Sequence, residues 1–578
     1  MVIRENKNPM EAGEILLKRG LINSRQLAET RSGNLEGLRL IDAAVEKGFV
    51  TEEQALKALG EEVGLDYVDL AATDVDLSLL KNFPLKLIHR QSLFPIRRDN
   101  GHLVVATSNP FDLYPLDEAS AATGLSVVPV LAARQEISKL IKRHLGVGSE
   151  TVDGLMEQSV DEDGVELLDS IETDGSELSE MAQEASVVRL VNEILLEAIE
   201  LRASDVHIES QGSGLVVRYR MDGILQTQPM PAEINRFEAA IISRMKIMSK
   251  LNIAEKRLPQ DGRMKLKVAG REIDVRVSVI PMIHGEGLVL RLLDKSAMRF
   301  DLRGLGMEQE TYDTYGELIR LPHGIILVTG PTGSGKTTTL YSSLLEIKND
   351  ATKIITAEDP VEYQLEGINQ IQIHPKIGLT FAHTLRSVLR HDPDIVLVGE
   401  VRDYETAENA IQASLTGHLV FSTLHTNDAA SAFTRLTDMG VEPFLVASTL
   451  EAVMAQRLVR RLCEQCKEAY RPNPDDLPPD FPLDALGKGQ LYRPKGCRAC
   501  RQLGYSGRLG MYELLVSDQD IRQLAHDRAS SWKIKQAAME KGMTTLRQDG
   551  WRKVLAGVTS TDEVLRVTKG DRDVQYHR

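Results

Sequence analysis

Apolar positions along this 578-residue chain change period several times, and each change marks a different kind of element. Residues 13–24 read Gly-Glu-Ile-Leu-Leu-Lys-Arg-Gly-Leu-Ile-Asn-Ser. About 28 residues on, 41–52 echo them as Ile-Asp-Ala-Ala-Val-Glu-Lys-Gly-Phe-Val-Thr-Glu. Each copy predicts an amphipathic helix stopped by Gly, an apolar pair, then a Ser or Thr that caps the next helix. Between residues 80 and 146 the runs shorten: Leu93-Phe-Pro-Ile and His102-Leu-Val-Val-Ala predict strands and 135–145 a helix, together a small α/β domain. Residues 187–201 return to helical spacing, and 215–220, 271–279 and 287–293 read as strands. The last two carry Arg276 and Arg291 among apolar neighbours. An edge or solvent-facing position explains them; so do two arginines aimed at a shared anion. Beyond residue 320, short, mostly apolar runs at 325–329, 353–358, 394–399 and 419–424 predict strands of an α/β domain.

Length implies about three to five domains. The chain is 42% hydrophobic and 26% charged, ordinary globular values that exclude whole-chain disorder and fibrous repeats. No stretch approaches the ~18–20 apolar residues of a membrane span, and the N-terminal residues lack an apolar signal core, so the expectation is a cytosolic protein. The net charge of −15 argues at face value against a nucleic-acid partner. Its distribution matters more. Residues 149–184 hold thirteen Asp or Glu and no Lys or Arg, leaving about −2 for the remainder. Such an acidic run without aromatics predicts a solvated linker, with a tail for a basic partner as the alternative.

The most informative run is 324–340, Gly-Ile-Ile-Leu-Val-Thr-Gly-Pro-Thr-Gly-Ser-Gly-Lys-Thr-Thr-Thr-Leu. An apolar strand enters Gly330-Pro331-Thr332-Gly333-Ser334-Gly335-Lys336-Thr337, and a helix begins near Thr338: a phosphate-binding loop in its required context. The glycines let backbone N–H groups wrap phosphates, and the helix N-terminus favours negative charge. Lys336 is expected to reach the β- and γ-phosphates, and the Thr337 hydroxyl to ligate Mg²⁺. About 65 residues on, Asp394-Ile-Val-Leu-Val-Gly-Glu400 is an apolar strand ending in an acid, which predicts Glu400 as the metal-side carboxylate. The segment from Lys353 ends in clustered carboxylates, Glu358-Asp359-Pro360-Val361-Glu362, read either as a charged capping loop or as the source of a water-activating group. Thr416-Gly-His418-Leu-Val-Phe-Ser-Thr-Leu-His425 flanks a strand with two histidines, which suggests a γ-phosphate sensor. Arg386 and Arg390 stand four apart on one helix face, either solvated or reaching phosphates.

All four cysteines fall in Cys463-x-x-Cys466 and Cys497-x-x-Cys500, 30 residues apart. Paired knuckles of this kind supply four thiolates at tetrahedral spacing, which predicts a closed, structural Zn²⁺ site; disulfides or two redox pairs are the alternatives.

Taken in order, these motifs resemble the secretion ATPases of type II secretion systems and the related type IV pilus assembly ATPases, closely over 186–515 and more loosely over 11–146. Ala203-Ser-Asp-Val-His-Ile-Glu and Leu258-Pro-Gln-Asp-Gly-Arg are further signatures of that family. The resemblance implies a multidomain α/β protein: a helical docking module (1–70), a small α/β, PAS-like domain (71–147), the acidic linker (148–184), a middle α/β domain (185–300) and a RecA-like ATPase domain (301–578) with a zinc insert at about 460–503. It implies that Glu362 activates water, with Glu358 the second choice. Glu400 matches the magnesium-side glutamate, and His418 and His425 the family's His box. By the same resemblance Arg276 and Arg291 of the middle domain, and Arg386 and Arg390 of the ATPase domain, approach ATP.

The implied assembly is a homohexamer working on a polytopic inner-membrane platform protein and docked through its N-terminal module on a membrane-anchored partner. The motor drives pseudopilus assembly for type II secretion, with type IV pilus extension as the alternative. The resemblance also implies cyclic di-GMP as a ligand of this module, as in some relatives whose repeat opens Arg-Leu-Gly; here the copies depart from it, opening Glu11-Ala-Gly and Arg39-Leu-Ile. A RecA-like nucleic-acid translocase also fits the phosphate loop, but with 4% aromatics and no concentrated basic tract, no nucleic-acid partner is expected.

Overall fold

The computed structural model describes residues 12–31, 38–70, 73–81, 83–84, 87–88, 91–109, 112, 114–145, 165–167, 184–268, 270–294, 300–487 and 489–568. Two compact units divide the chain, residues 1–294 and 295–578. Apart from 165–167 and 184, the predicted linker lies outside the described residues.

The first unit begins with helices Ala12–Lys18, Ser24–Arg31, Leu38–Glu46 and Glu52–Val63. Gly20 and Gly48 end corresponding helices of the two echoes at φ 68° and 70°. There the N–H of Leu21 reaches the carbonyl of Leu16 (3.0 Å) and that of Phe49 the carbonyl of Ala44 (2.9 Å), the 6→1 closure that a left-handed residue permits. Thr51 caps the fourth helix in a reciprocal capping box with Gln54. In the first copy Asn23, one residue before the Ser, takes that role. It exchanges two 2.9 Å bonds with Gln26, and Ser24 becomes the first helical residue.

A three-stranded sheet follows: β1 (Phe94–Asp99), β2 (His102–Thr107) and β3 (Ser126–Leu131), in that order. The segment after the fourth helix runs along β3, where Leu131 donates to Asp66 and accepts from Val68, both at 2.8 Å. The helical and sheet parts are thus joined by backbone pairing across the expected boundary near residue 70.

Within the predicted linker, Val165–Leu167 is a strand, β4. It pairs antiparallel with residues 266–268 of β8 (Gln260–Val268). The remaining strands of this all-antiparallel sheet are β5 (Asp205–Gln211), β6 (Gly214–Met221), β7 (Ile224–Thr227), β9 (Arg271–Met282) and β10 (Gly285–Asp294), ordered β4-β8-β9-β10-β5-β6-β7. One face is buried with helices Ala185–Glu200 and Glu238–Met248 in a single core that includes Val206, Val217, Tyr219, Val275 and Leu290. The opposite face is polar, the alternation expected of a half-solvated antiparallel sheet.

In the second unit the order is β13-β12-β14-β15-β11-β16-β19. These are β11 (Gly324–Thr329), β12 (Ile354–Glu358), β13 (Asn369–Gln372), β14 (Ile395–Val398), β15 (Leu419–Leu424), β16 (Leu450–Leu462) and β19 (Tyr505–Val516). Six of the seven run parallel; β19 is antiparallel to β16. Every residue of β11, β12, β14 and β15 is buried, because helices cover both faces of a parallel sheet. Parallel strands bring all their C-terminal ends to one rim, where open α/β sheets bind ligands. The hairpin β17 (Glu468–Tyr470) and β18 (Leu491–Arg493) lies in the excursion between β16 and β19.

Candidate functional site

The phosphate loop leaves β11 at Gly330 and enters the helix Lys336–Ile347. Gly330, Gly333 and Gly335 hold φ of 151°, 78° and 88°, a backbone that side chains resist. At Gly330 a Cβ would also meet the Gln456 carbonyl at 2.6 Å, so this glycine serves packing as well as conformation. No side chain caps the helix, which leaves its first N–H groups for an anion. Lys336 Nζ donates to the carbonyls of Gly330 (2.8 Å) and Pro331 (3.2 Å), folded back over the loop. Burial pulls the Lys336 pKa below that of a free lysine, against the opposing pull of Glu400.

Around this loop the rim of the sheet gathers acids and one histidine. Glu400, just beyond β14, pairs with Arg402 and, at 3.3 Å, with His425 Nε2 just beyond β15. Burial would raise the Glu400 carboxyl, but the bonds from Arg402 and His425 outweigh it and hold it below the ordinary value. It is therefore a charged carboxylate near the Lys336 ammonium. Glu358, at the end of β12, is committed to the interior. Only 4% exposed, it accepts from Tyr341, from Thr356 at 2.6 Å and from Gln370 at 3.0 Å. Glu362, in the loop beyond, is half-buried, and the backbone at Glu362 and Tyr363 bonds the same Tyr341 hydroxyl.

Two expected residues stand elsewhere. His418 precedes β15, at the strand-start end of the sheet, with Nδ1 2.9 Å from the Ala413 carbonyl and 3.1 Å from Thr416. It is separated from the phosphate loop by the length of the strand, so of the two histidines only His425 joins the loop. Arg390, past the helix Phe381–Val388, lies at that same far end beside His391, whose carbonyl accepts from Lys353 ahead of β12. Arg386, one turn earlier, pairs with Glu405. In the first unit Arg276 and Arg291 face each other across β9 and β10, which are interior strands and exclude the edge reading. Arg291 also binds Asp205 at 3.1 Å. Their row continues into Arg263 on β8, on the polar face.

Sequence reading missed Arg457, Gln456 and Arg402. Arg457 is 8% exposed, with its guanidinium directly behind Gly330. Gln456 accepts from Thr339 of the loop helix at 2.8 Å. Both sit on β16, more than a hundred residues downstream, inside an Ala-Gln-Arg-Leu-Val run that reads as an ordinary strand. Only the β11–β16 pairing brings them to the loop.

The four cysteine sulfurs all lie within 4.8 Å of one another. Separations of 3.6 to 3.8 Å between Sγ atoms exclude disulfides, whose S–S bond is about 2.05 Å. Burial pushes the Cys466 thiol up to about 12. Against its own burial, N–H bonds from Cys497 and Gly504 hold Cys500 down at about 7. A closed four-sulfur cage with N–H donors aimed at one sulfur suits a thiophilic dication, which offsets the charge that burial alone disfavours.

Residues 180–566 match the family model described as type II/IV secretion system protein, and 63–151 match the MshEN domain. Type II secretion system protein E of Xanthomonas campestris pv. campestris is 45% identical over 96% of this chain and 98% of its own length. The type IV pilus assembly ATPase PilB of Myxococcus xanthus is 40% identical over 97% and 99%. Type II secretion system ATPase E of Vibrio cholerae is 50% identical over 68% and 77%.

Proposed function

Because the chain belongs to the type II/IV secretion system protein family, we propose that it is the ATP-hydrolysing motor that powers pseudopilus assembly for type II protein secretion. The observation that carries the reaction is the convergence, at one rim of the parallel sheet, of the phosphate loop, Glu400 and His425. Type II secretion is preferred to pilus extension because the near-full-length type II relative is 45% identical and the pilus relative 40%.

In this reading the N–H groups of residues 330–338 cradle the polyphosphate, and Lys336 turns from the Gly330 and Pro331 carbonyls to the β- and γ-phosphates. Thr337 and Glu400 would hold Mg²⁺, which neutralises charge developing on the phosphate oxygens. Glu362 takes the proton of the attacking water, giving ADP and phosphate. It is preferred to Glu358, whose oxygens are engaged by three donors inside the protein. His425 orients groups around the γ-phosphate beside Glu400, and a homohexameric ring brings Arg276, Arg291 and Arg386 to the nucleotide.

Zn²⁺ on the four cysteines is structural, since all four positions are protein ligands. The described residues include no helix long and apolar enough to cross a membrane. In this reading work passes through partners: a polytopic inner-membrane platform protein, and a membrane-anchored protein holding the N-terminal module.

The test is ATP turnover by the full chain carrying Lys336→Ala or Glu362→Gln. Both are expected to lose at least ~100-fold in kcat; undiminished turnover in both defeats the reading. ATPase stimulation by DNA would instead favour a translocase.

A further inference from the structure

The loop from His425 to Ala429 is held from three strands of the second unit. From β11, the Thr329 hydroxyl donates to the Leu424 carbonyl (3.0 Å) and accepts from the Thr426 N–H (2.9 Å). From β16, Arg457 Nη2 donates to the Asn427 carbonyl at 2.7 Å, while Nη1 donates to the Gln456 carbonyl at 2.9 Å. From β19, the carboxylate of Glu513 accepts from the Ala429 N–H at 2.8 Å, and its other oxygen accepts from the Leu546 N–H at 3.2 Å. Arg457 is 8% exposed and Glu513 has no exposure at all. Lys535 Nζ lies 3.9 Å from Glu513.

Burying a cation and a carboxylate is costly, and apolar residues would fill β16 and β19 more stably. What the two side chains do in common is grip backbone groups on either side of Asp428, the turn that ends the His425 loop. The Arg457 guanidinium also backs Gly330, so one side chain touches both the phosphate loop's first glycine and the His425 loop. We propose that Arg457 and Glu513 are a positioning pair that fixes the His425 loop against the phosphate loop. They act on turnover through His425 and leave nucleotide affinity to the loop itself. The proposal rests on the role given to His425 above. It extends the site to β16 and β19, and it links the start of the helix Leu546–Leu555 to the reacting end of the sheet.

A double-mutant cycle in the full chain tests it. Glu513→Gln keeps shape and one acceptor; Arg457→Lys keeps charge but loses the fork. Each is measured alone and with His425→Ala, reading kcat, the KM for ATP, fluorescent-ADP affinity and the melting temperature. Each single variant is expected to lower kcat about tenfold with ADP affinity within about threefold. In the His425→Ala background the same change should cost less than about twofold, because the path it acts through is gone.

An equal fold-loss in both backgrounds, or an unchanged kcat in a folded single variant, overturns the pair. Should Glu513→Gln fail to fold, the Arg457→Lys cycle decides alone. If His425→Ala by itself leaves kcat unchanged, the role of His425 fails first and the inference falls with it, an outcome the single variant identifies separately.

Discussion

Glu358 and Glu362 are the same side chain four residues apart, and their surroundings divide their work. Glu358 lies under the sheet rim, with donors from Tyr341, Thr356 and Gln370. Removing its charge should loosen the fold more than it slows chemistry, since buried donors lose their acceptor. Glu358→Gln is expected to cost about 2 kcal/mol of stability, seen in denaturant unfolding, while turnover of the folded protein falls only a fewfold. Glu362→Gln should reverse the pattern, with the melting temperature kept and turnover lost. Comparing unfolding and kcat for the two variants checks both halves.

The long β16 strand shows how an element inherits function from its neighbours. Near its middle it supplies Gln456 and Arg457 to the phosphate loop; near its end Arg460 meets Glu563 of the helix Thr561–Val567. Glu563 accepts from the Arg460 N–H (3.0 Å) and side chain (2.7 Å) and from Arg566 (2.9 and 2.7 Å). Burial would raise its carboxyl, but the bonds from Arg566 and Arg460 prevail and bring it from 4.5 to about 2. A depressed carboxyl stabilises the fold above its unfolded value and loses that contribution as pH falls through the folded one. Glu563→Gln should therefore cost about 3 kcal/mol at pH 7. The gap to the parent protein should narrow as pH falls from about 4.5 towards 2, which melts at pH 7, 4 and 3 would follow.

The cysteine excursion lies between β16 and β19, with Phe481 and Leu491 buried in the core of the second unit and the four sulfurs gathered together. Elemental analysis should find one zinc per chain. Stripping it with a strong chelator should lower the melting temperature by several degrees, and metal-free protein with intact thiols and an unchanged melt would count against the cage.

For the molecule as a whole, separate hydrophobic cores serve the helical module, the three-stranded sheet and the middle sheet. The second unit has two large cores of its own on the faces of its sheet. Under the homohexameric ring proposed above, turnover should be sensitive to poisoning by inactive subunits. Adding increasing fractions of Lys336→Ala chains before assembly should depress turnover faster than in proportion to the fraction added. A strictly linear decline would mean that subunits hydrolyse independently.

The sequence by itself determined those features whose physics is local. Residues 330–337 announce a phosphate cradle, because glycine spacing and a following helix suffice for one. Paired Cys-x-x-Cys knuckles announce four thiolates by their spacing alone, although the pairing of β16 with β19 is what brings the two knuckles together. Gly20 and Gly48 mark helix ends because only glycine adopts that backbone cheaply. What only the tertiary structure decided depends on which strands become neighbours. The histidines His418 and His425 look alike in sequence; one strand length between them sends the first to the far rim and the second to Glu400. Arg276 and Arg291 acquire a common face through the pairing of β9 with β10. Arg457 and Glu513 carry no local signal, since a charged residue in a strand reads as solvent-facing until the parallel pairing of β16 with β11 sets Arg457 behind the phosphate loop and the antiparallel pairing of β16 with β19 buries Glu513.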